Sequence, residues 1–376
     1  MFKSSGSKST DFKPTVIKPT DFKPIIGWDI GGAHLKAVLL DAKGNILNMQ
    51  QLPCPLWRGL HELESAMQHM LKIFEIDACS ALHAITMTGE LVDCFADRDE
   101  GVCAIAQLTS NMLGENVRYY AANNGAESDF VVHKDVKRFT TCIASTNWHA
   151  SASALAMRAQ DALLIDIGST TTDIIPIKNG VVALAALCDA ARLQNDTLVY
   201  TGVVRTPVMV LAQKLPFEGH EVNVMAEYFA TMADVYRLTG ELDAACDMAE
   251  TADGKGKTQI ESARRLARMV GCDVDQSLEK WILLANACRS LQMVQIKCAV
   301  MKYLKPDKPI IGAGAGAFLV RAIAAELNHP YLALAEVLPK IEANNAAQAN
   351  TMQVEVCLPA YAVAFLAYNK QVFNLN

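Results

Sequence analysis

Residues 29–36 (DIGGAHLK) and 166–173 (DIGSTTTD) are the two segments that decide the fold of this chain. Each follows an apolar run that predicts a buried strand, at 25–29 and at 163–166. Each also leads into a second strand, a turn containing Asn and Gly, and a third strand. Two copies of strand, Asp-x-Gly loop and hairpin, spaced about one domain apart, predict an internal duplication.

The rest of the sequence alternates between helical and strand patterns. A final strand at 308–311 is expected to run into the glycine-rich segment 312–316 and then into a helix that begins near Phe318. Other predicted helices lie at 59–76, 102–112, 146–159 and through most of 222–304, and other predicted strands at 84–88, 117–121 and 181–184.

Composition limits the class of protein. The chain has 376 residues, of which 51% are hydrophobic and 20% charged, which suits two domains and excludes a disordered or fibrous chain. A net charge of -6 argues against nucleic acid or anionic membrane as partners, since these need clustered Lys and Arg. No apolar run reaches the roughly 20 residues that cross a bilayer, and the N-terminus lacks the apolar stretch of a signal peptide. We therefore expect a soluble, cytoplasmic protein.

The 11 cysteines are scattered and never spaced C-x-x-C. A secreted disulfide scaffold would pair them, and a structural zinc site would show close pairs. We expect buried free thiols.

The two Asp-x-Gly loops suit a phosphate-containing ligand. Glycine lets the backbone approach an anion with several N–H groups, and hydroxyl groups add further donors. Lys36 and His34 follow the first loop and can neutralise phosphate charge. The predicted phosphate contacts are Gly31, Gly32, His34, Lys36, Gly168, Ser169, Thr170 and Thr171.

The strand-end aspartates predict a metal ion. A carboxylate beside a phosphate loop would repel the phosphate, so Asp29 and Asp166 are expected to act through Mg²⁺ and its waters. Asp173 either contacts a metal-bound water or caps its hairpin.

The glycine-rich segment offers a second binding element. A strand, a glycine-rich turn and a helix N-terminus suit a nucleotide, which places Gly312, Gly314 and Gly316 in a substrate or nucleotide pocket. The same glycines are equally typical of a close contact between helix and strand.

Taken together, these motifs resemble the superfamily of actin, the sugar kinases and the heat-shock chaperones. The resemblance implies a two-domain α/β actin-like ATPase (ribonuclease H-like) fold with a ligand cleft between the domains. Residues 358–364 resemble its closing helix, which returns to the first domain. The implied organisation is a flexible tail (1–24, with TDFKP repeated), domain I (25–160 plus 357–376) and domain II (161–356).

A narrower resemblance rests on residues 88–95 (TGELVDCF) and 200–207 (YTGVVRTP) together with the two loops. These are similar to the hydantoinase/oxoprolinase-related proteins of the tetrahydromethanopterin-linked C1 transfer pathway. The resemblance implies an alkyl/aryl transferase of methanofuran or methylofuran biosynthesis. Such an enzyme joins an aminomethyl-furanmethyl diphosphate to the phenol oxygen of γ-glutamyltyramine or a related phenol and releases diphosphate. It requires Mg²⁺ and does not require ATP.

The same resemblance suggests roles for four charged residues. Glu90 and Asp93 are candidates for the general base or for binding the aminomethyl ammonium, although Thr88 and the acids also fit a helix-start cap. Arg98 and Arg205 either contact diphosphate or a carboxylate, or form salt bridges between the domains.

Other functions remain open from the sequence. The same loops suit an ATP-dependent small-molecule kinase, and equally a non-catalytic ATP-binding switch. Hydrolysis of a hydantoin or oxoproline is disfavoured because the metal-bearing partner half of those enzymes is missing. The helical middle faces either solvent or a second subunit, so a homo-oligomer is possible.

Overall fold

The computed structural model describes residues 23–123, 129–274, 277–338 and 351–373. The predicted flexible tail at 1–24 lies outside the described residues, apart from Lys23 and Pro24. Its role and that of its repeat stay predictions.

Residues 25–131 form a mixed sheet of six strands in the order β3-β2-β1-β4-β5-β6. The strands are β1 (Ile25–Ile30), β2 (His34–Leu40), β3 (Ile46–Pro53), β4 (Leu82–Met87), β5 (Val117–Ala121) and β6 (Asp129–Val131). Neighbours among β1, β2 and β3 are antiparallel, whereas β1, β4 and β5 are parallel. Strand β1 is central and buried along its length, which explains its continuous apolar sequence.

A second mixed sheet is built by later residues, with the main order β10-β8-β7-β13-β14 and β9 paired to β8. Its strands are β7 (Ala162–Ile167), β8 (Thr172–Lys178), β9 (Val181–Val182), β10 (Leu198–Val199), β13 (Ile310–Ala313) and β14 (Tyr331–Ala333). Strands β7 and β8 are antiparallel, and β7, β13 and β14 are parallel. A separate hairpin consists of β11 (Lys214–Phe217) and β12 (His220–Asn223).

The helices cover both sheets and fill the segment between β12 and β13. They are α1 (Leu60–Ile73), α2 (Arg98–Leu113), α3 (Thr140–Ile143), α4 (Asn147–Ala156), α5 (Asp189–Gln194), α6 (Met232–Thr239), α7 (Gln259–Arg268), α8 (Glu279–Tyr303), α9 (Ala317–Glu326), α10 (Leu334–Val337), α11 (Thr351–Val356) and α12 (Leu358–Phe373). Local sequence defines several helix starts. Asp97 caps α2 by accepting from the Glu100 amide, and Thr258 and Glu261 form a capping box on α7.

The two sheets repeat one topology. In each, an antiparallel hairpin leads from the Asp-x-Gly loop and two parallel strands follow on the other side, as β2-β1-β4-β5 and as β8-β7-β13-β14. This is the ribonuclease H-like arrangement in duplicate. The predicted duplication and the predicted two-domain actin-like fold class are confirmed.

Helices α4 and α12 lie between the sheets and join them through one apolar cluster. That cluster takes Ile25 and Ala84 from the first sheet and Leu164, Ile175 and Ile311 from the second. Helix α12 also packs directly on β1, β2 and β4. The segment predicted to close the fold therefore covers the first sheet.

Most predicted elements are confirmed, with shifts of a few residues at their ends. Two predictions were too simple. The strand expected at 181–184 covers only Val181–Val182, and the predicted helical middle begins with the hairpin strand His220–Asn223 and contains a long non-helical segment before α7.

The cysteine prediction is only partly right. All 11 are free thiols, but Cys79, Cys94, Cys188 and Cys298 are exposed instead of buried. Among the described residues, not even the 25-residue α8 is apolar enough to cross a membrane.

Gly27 is where α12 approaches β1 most closely. A Cβ at this position would lie 2.0 Å from the Ala360 carbonyl oxygen. We expect Gly27→Ala to lower the free energy of unfolding by about 3 kcal/mol, because helix and strand must separate to admit the methyl group. Urea unfolding measures this. Gly168→Ala is the control, since its Cβ would meet only the Thr171 carbonyl oxygen at 3.6 Å. Equal stabilities of the two variants would contradict the prediction.

Candidate functional site

The two Asp-x-Gly loops adopt the same turn and line one cavity between the sheets. The Gly31 amide donates to the His34 carbonyl at 3.0 Å, and the Gly168 amide donates to the Thr171 carbonyl at 2.8 Å. The cavity has a volume of about 540 Å³. The duplication therefore produces two matching loops around a single ligand-sized space.

Most of the residues predicted for the site line this cavity. They are Asp29, Gly31, Gly32, His34, Lys36, Asp93, Asp166, Gly168, Ser169, Thr170, Thr171, Asp173, Arg205 and Gly314. Four predicted residues lie outside its lining, namely Glu90, Arg98, Gly312 and Gly316.

Lys36 and Asp29 form an ion pair beside the first loop. They are cross-strand neighbours on β2 and β1, and Lys36 Nζ lies 3.1 Å from Asp29 Oδ2. Burial opposes the charge on Lys36, but Asp29, Cys357 and Asp166 together outweigh it and hold the pKa of Lys36 above its ordinary value. The cation is thus fixed and charged where a ligand phosphate would need it. The other carboxylate oxygen, Asp29 Oδ1, is buried and accepts no hydrogen bond within the described residues.

Asp166 faces the same space from the second sheet. Burial and the carboxylate of its cross-strand neighbour Asp173 raise its pKa to about 7, and Lys36 partly opposes the shift. A cation bound nearby would stabilise the charged form of a carboxylate that lies among other carboxylates.

Asp173 is already engaged by a cation of the chain. Arg192, which is buried, donates from Nη2 to Asp173 Oδ1 at 2.7 Å and lies 3.9 Å over the Trp148 ring. Burial raises the pKa of Asp173, and Arg192 opposes the shift. The alternative of a hairpin cap has no supporting contact, and the salt bridge makes Asp173 less available to a metal ion than Asp29 or Asp166.

The aspartates fit a magnesium ion only in combination with a ligand. In the described part of the chain, no three His, Cys, Asp or Glu side chains are grouped closely enough to hold a metal ion. Mg²⁺ commonly binds one or two carboxylates and completes its shell with phosphate oxygens and water. Asp29 Oδ1, which has no hydrogen-bond partner among the described residues, and Asp166, whose pKa is raised, suit that kind of site.

His34 is expected to be neutral. Burial, Lys36 and Arg205 lower its pKa to about 4. The prediction that His34 neutralises phosphate charge therefore needs correction, because at neutral pH it can offer a hydrogen bond but no charge until an anion binds.

The segment 200–207 supports the second loop from behind. The Val203 amide donates to the Gly168 carbonyl at 3.1 Å, and the Arg205 amide donates to the Ser169 carbonyl at 2.8 Å. Gln292 on α8 holds this support by donating to the Gly202 carbonyl at 2.9 Å. The segment 200–207 thus positions the second loop and brings Arg205 to the cavity.

Glu90 lies behind the cavity wall. It is 1% exposed, and the hydroxyl of Ser145, which does line the cavity, donates to Glu90 Oε1 at 2.6 Å. Burial raises the pKa of Glu90, and the Ser145 hydrogen bond opposes the shift. Direct contact between Glu90 and a substrate is therefore not supported. The capping alternative fails as well, because Thr88 makes no side-chain cap and Asp97 caps the following helix.

Arg98 bridges the two halves of the molecule. Its Nη2 lies 2.7 Å from Asp189 Oδ2 on α5. The salt-bridge alternative describes Arg98 correctly, whereas Arg205 lines the cavity.

The three glycines of the glycine-rich segment divide between the cavity lining and close packing. Gly314 lines the cavity with a φ of +80°, a conformation that favours glycine, and a Cβ there would lie 2.3 Å from Asp166 Oδ1. Gly312 instead packs against Tyr331, and Gly316 against Ile167 and Val203. Only the middle glycine belongs to the pocket.

Sequence reasoning missed the aromatic part of the cavity. Trp57, Trp148 and Tyr200 line it, and the exposed fractions of Trp57 and Tyr200 are 47% and 65%. Tyr200 is the first residue of the motif at 200–207, which is the signal that could have indicated it. Trp57, Trp148 and Ser145 lie in segments with no distinctive pattern.

The pKa of Asp166 predicts how stability depends on pH. Because the folded pKa of about 7 exceeds the ordinary 3.8, the folded state holds this proton more tightly, and the resulting stability is lost as pH rises from about 4 to 7. For a fully buried group, a shift of this size would lower the free energy of unfolding by about 4 kcal/mol over that pH range. We expect a loss of about 2 kcal/mol, because Asp166 borders an open cavity. Asp166→Asn should flatten the pH profile of unfolding measured without substrate. If the free energy of unfolding depends on pH in the same way in Asp166→Asn and in the native protein, the prediction is wrong.

Comparison with known proteins gives consistent matches. The hydantoinase/oxoprolinase family matches residues 82–338. The chain is 34% identical over 299 residues to the (4-{4-[2-(γ-L-glutamylamino)ethyl]phenoxymethyl}furan-2-yl)methanamine synthase of Methanocaldococcus jannaschii, which covers 77% of this chain and 86% of that enzyme. It is 38% identical over 120 residues to the enzyme of the same name from Methanococcus vannielii, covering 31% of this chain and 52% of that enzyme.

A solved structure shares the fold. The nucleotide-free structure of acetone carboxylase aligns with a TM-score of 0.55 at 9% identity and covers 91% of this chain and 70% of that chain. At this identity the likeness concerns the fold alone.

Proposed function

The chain belongs to the hydantoinase/oxoprolinase family, and from that premise we propose that it is an aryl-ether-forming transferase. It joins an aminomethyl-furanmethyl diphosphate to a phenol oxygen and releases diphosphate, as a step of methanofuran or methylofuran biosynthesis. The observation that carries the proposal is the 34% identity, over most of both chains, to an enzyme whose name describes a phenoxymethyl-furan product. The phenol is γ-glutamyltyramine or a close relative.

The two loops supply the diphosphate site. Matching turns at Gly31 and Gly168 present backbone and hydroxyl donors from opposite sides, and Lys36 adds a fixed positive charge. Asp29 and Asp166 are the residues that would hold Mg²⁺ together with diphosphate oxygens, and the ion would stabilise the charge of the leaving group.

The chemistry requires little more than a well-held leaving group. A furanmethyl carbon loses diphosphate readily, since the ring oxygen stabilises the positive charge that develops. Stabilising the negative charge on the departing group is then the largest contribution that an enzyme can make. Loops built for phosphate are suited to this task without ATP.

The aromatic wall supports the assignment of the organic substrates. Trp57 and Tyr200, which are both exposed, offer faces on which a furan and a phenol ring can pack. Asp93 also lines the cavity and carries a carboxylate that suits the aminomethyl ammonium, whereas the Asp189 carboxylate is paired with Arg98.

The test is a product assay with the purified protein and Mg²⁺. A furanmethyl diphosphate is supplied with tyramine, γ-glutamyltyramine or tyrosine, and mass spectrometry and diphosphate release are followed in the presence and absence of ATP. We expect an ether product and one diphosphate per product without ATP. Phosphate transfer from ATP to an acceptor, with no ether in any mixture, would replace the proposal by a kinase.

A further inference from the structure

We propose that Ser145 is a catalytic residue of the ether-forming reaction, taking the proton of the phenol while its own hydroxyl hydrogen passes to Glu90. This inference rests on the function proposed above. It assigns the general-base role to a pair, with Ser145 in contact with the substrate and Glu90 behind it.

The geometry of the pair is that of a proton relay. Ser145 lines the cavity, and its Oγ donates to Glu90 Oε1 at 2.6 Å. Glu90 is 1% exposed and outside the cavity lining, and the Ser145 hydroxyl connects its carboxylate to the cavity. A hydrogen bond of this length is typical of a hydroxyl group that donates to a carboxylate, and such bonds are roughly twice as strong as neutral ones.

The residues around Glu90 fix its position and leave one of its carboxylate oxygens without a hydrogen bond. Its second oxygen, Oε2, is buried and has no hydrogen-bond partner among the described residues. On α2, Gly101 packs against it so closely that a Cβ there would lie 2.5 Å from the Glu90 carbonyl oxygen. The charged groups that face Glu90 are Arg98 on α2 and Asp189 on α5, which are paired with each other.

The backbone at Ser145 supports a functional role. Ser145 has a φ of +53°, in the left-handed region that non-glycine residues seldom occupy, and it lies in the connection between α3 and α4. Such conformations cost about 1–3 kcal/mol and cluster at active sites. Here the unusual conformation accompanies a hydroxyl group placed between the cavity and a buried carboxylate.

The acidity of the groups matches the task. A phenol has an ordinary pKa near 10, so an ordinary carboxylate is a poor base for it. Burial raises the pKa of Glu90, and the Ser145 hydrogen bond opposes the shift. The raised pKa makes the gap between the pKa values of Glu90 and the phenol smaller, so Glu90 is a better proton acceptor.

Atoms and charges balance in the step. The phenol oxygen forms a bond to the furanmethyl carbon as the bond from that carbon to diphosphate breaks, and the bonding pair leaves with diphosphate. The phenol proton goes to Ser145 Oγ, and the serine hydrogen goes to Glu90 Oε1. Glu90 ends protonated and returns its proton to water after product release.

The experiment compares phenols of different acidity. Ser145→Gly removes the hydroxyl group and suits the positive φ, so the variant should fold. With the ordinary phenol we expect kcat to fall by about a hundredfold or more, the usual contribution of a general base. With a ring-fluorinated tyramine whose phenol is already ionised at the assay pH, the loss should shrink to less than about tenfold, because no proton needs to be removed. Glu90→Gln should behave in the same way.

The pH profile gives a second readout. The variant should gain activity with rising pH as the phenol ionises in solution, whereas the native enzyme reaches its plateau at lower pH. Ser151→Ala is the matched control. Ser151 is also buried and donates to the Asn147 carbonyl at 3.0 Å, but it does not line the cavity. Its activity on both phenols should stay unchanged.

The outcomes separate this inference from the proposed function. If the native enzyme forms no ether from any phenol, the proposed function fails. If the native enzyme is active and Ser145→Gly is fully active, or loses the same factor on both phenols, the relay is overturned and Ser145 has a structural role.

Discussion

Replacing Lys36 by methionine is expected to lower the rate of ether formation by about 10²- to 10³-fold, the usual effect of removing one group that stabilises developing charge. Lys36 is held by Asp29 at 3.1 Å beside the first loop, so its charge is placed before the ligand arrives. The variant should also lose affinity for diphosphate. Isothermal titration with Mg²⁺ and diphosphate measures the second effect, and the product assay measures the first.

The same substitution leaves Asp29 without its cation, which complicates its effect on stability. Removing one partner of a buried ion pair is costly, and because Lys36 retains 23% exposure we expect a loss of about 2 kcal/mol. The double variant Lys36→Met/Asp29→Asn should regain most of that stability and remain inactive. Lys178→Met, at an exposed position on β8, is the matched control. An active Lys36→Met enzyme would exclude Lys36 from the diphosphate site.

Gly202→Ala is expected to abolish diphosphate binding although residue 202 does not line the cavity. A Cβ at this position would lie 2.5 Å from the Thr170 amide nitrogen and 2.6 Å from the Gly168 carbonyl oxygen. Both are backbone atoms of the second loop, which must shift to make room. We expect the affinity for Mg²⁺ and diphosphate to fall by about a hundredfold and stability to fall by about 2 kcal/mol, within the range of overpacked cores.

Thermal unfolding and titration separate the two effects of Gly202→Ala. In the unfolding measurement the Gly168→Ala variant again controls for the change of residue type, and its stability should match the native protein. It is not a control for binding, because Gly168 itself lines the cavity. If Gly202→Ala binds diphosphate normally, the second loop does not depend on the support of residues 200–207, and the role assigned to that motif is wrong.

The duplicated loops could be read from sequence because their signals are local. An apolar strand, an Asp-x-Gly loop and a hairpin turn each have a short pattern, so the strands around Asp29 and Asp166 were predicted correctly. The residues predicted for the two loops line the cavity, and their roles there stay predictions. The repetition of that pattern, together with the glycine-rich segment, carried the resemblance that implied the fold class.

The rest of the site depends on contacts between distant segments. Ser145 meets Glu90 across 55 positions of sequence, and Arg98 meets Asp189 across 91. A short sequence pattern cannot predict contacts between residues so far apart in the sequence. Glu90 was therefore predicted to be a base or a substrate contact, whereas packing places it behind the cavity wall. For Arg98 the sequence left a diphosphate contact and a salt bridge open, and packing places it at a bridge between the halves.

The packing of α12 on β1, β2 and β4 has a consequence for synthesis of the chain. The first five strands are complete at residue 121, but the helix that covers them begins at residue 358. At about 5–20 residues per second, a ribosome needs roughly 10–50 s to make the intervening chain. During that interval the apolar side chains of Ile25, Val38 and Ala84 lack the residues of α12 that pack with them in the finished protein. The nascent first half is therefore expected to be a client of ribosome-associated chaperones.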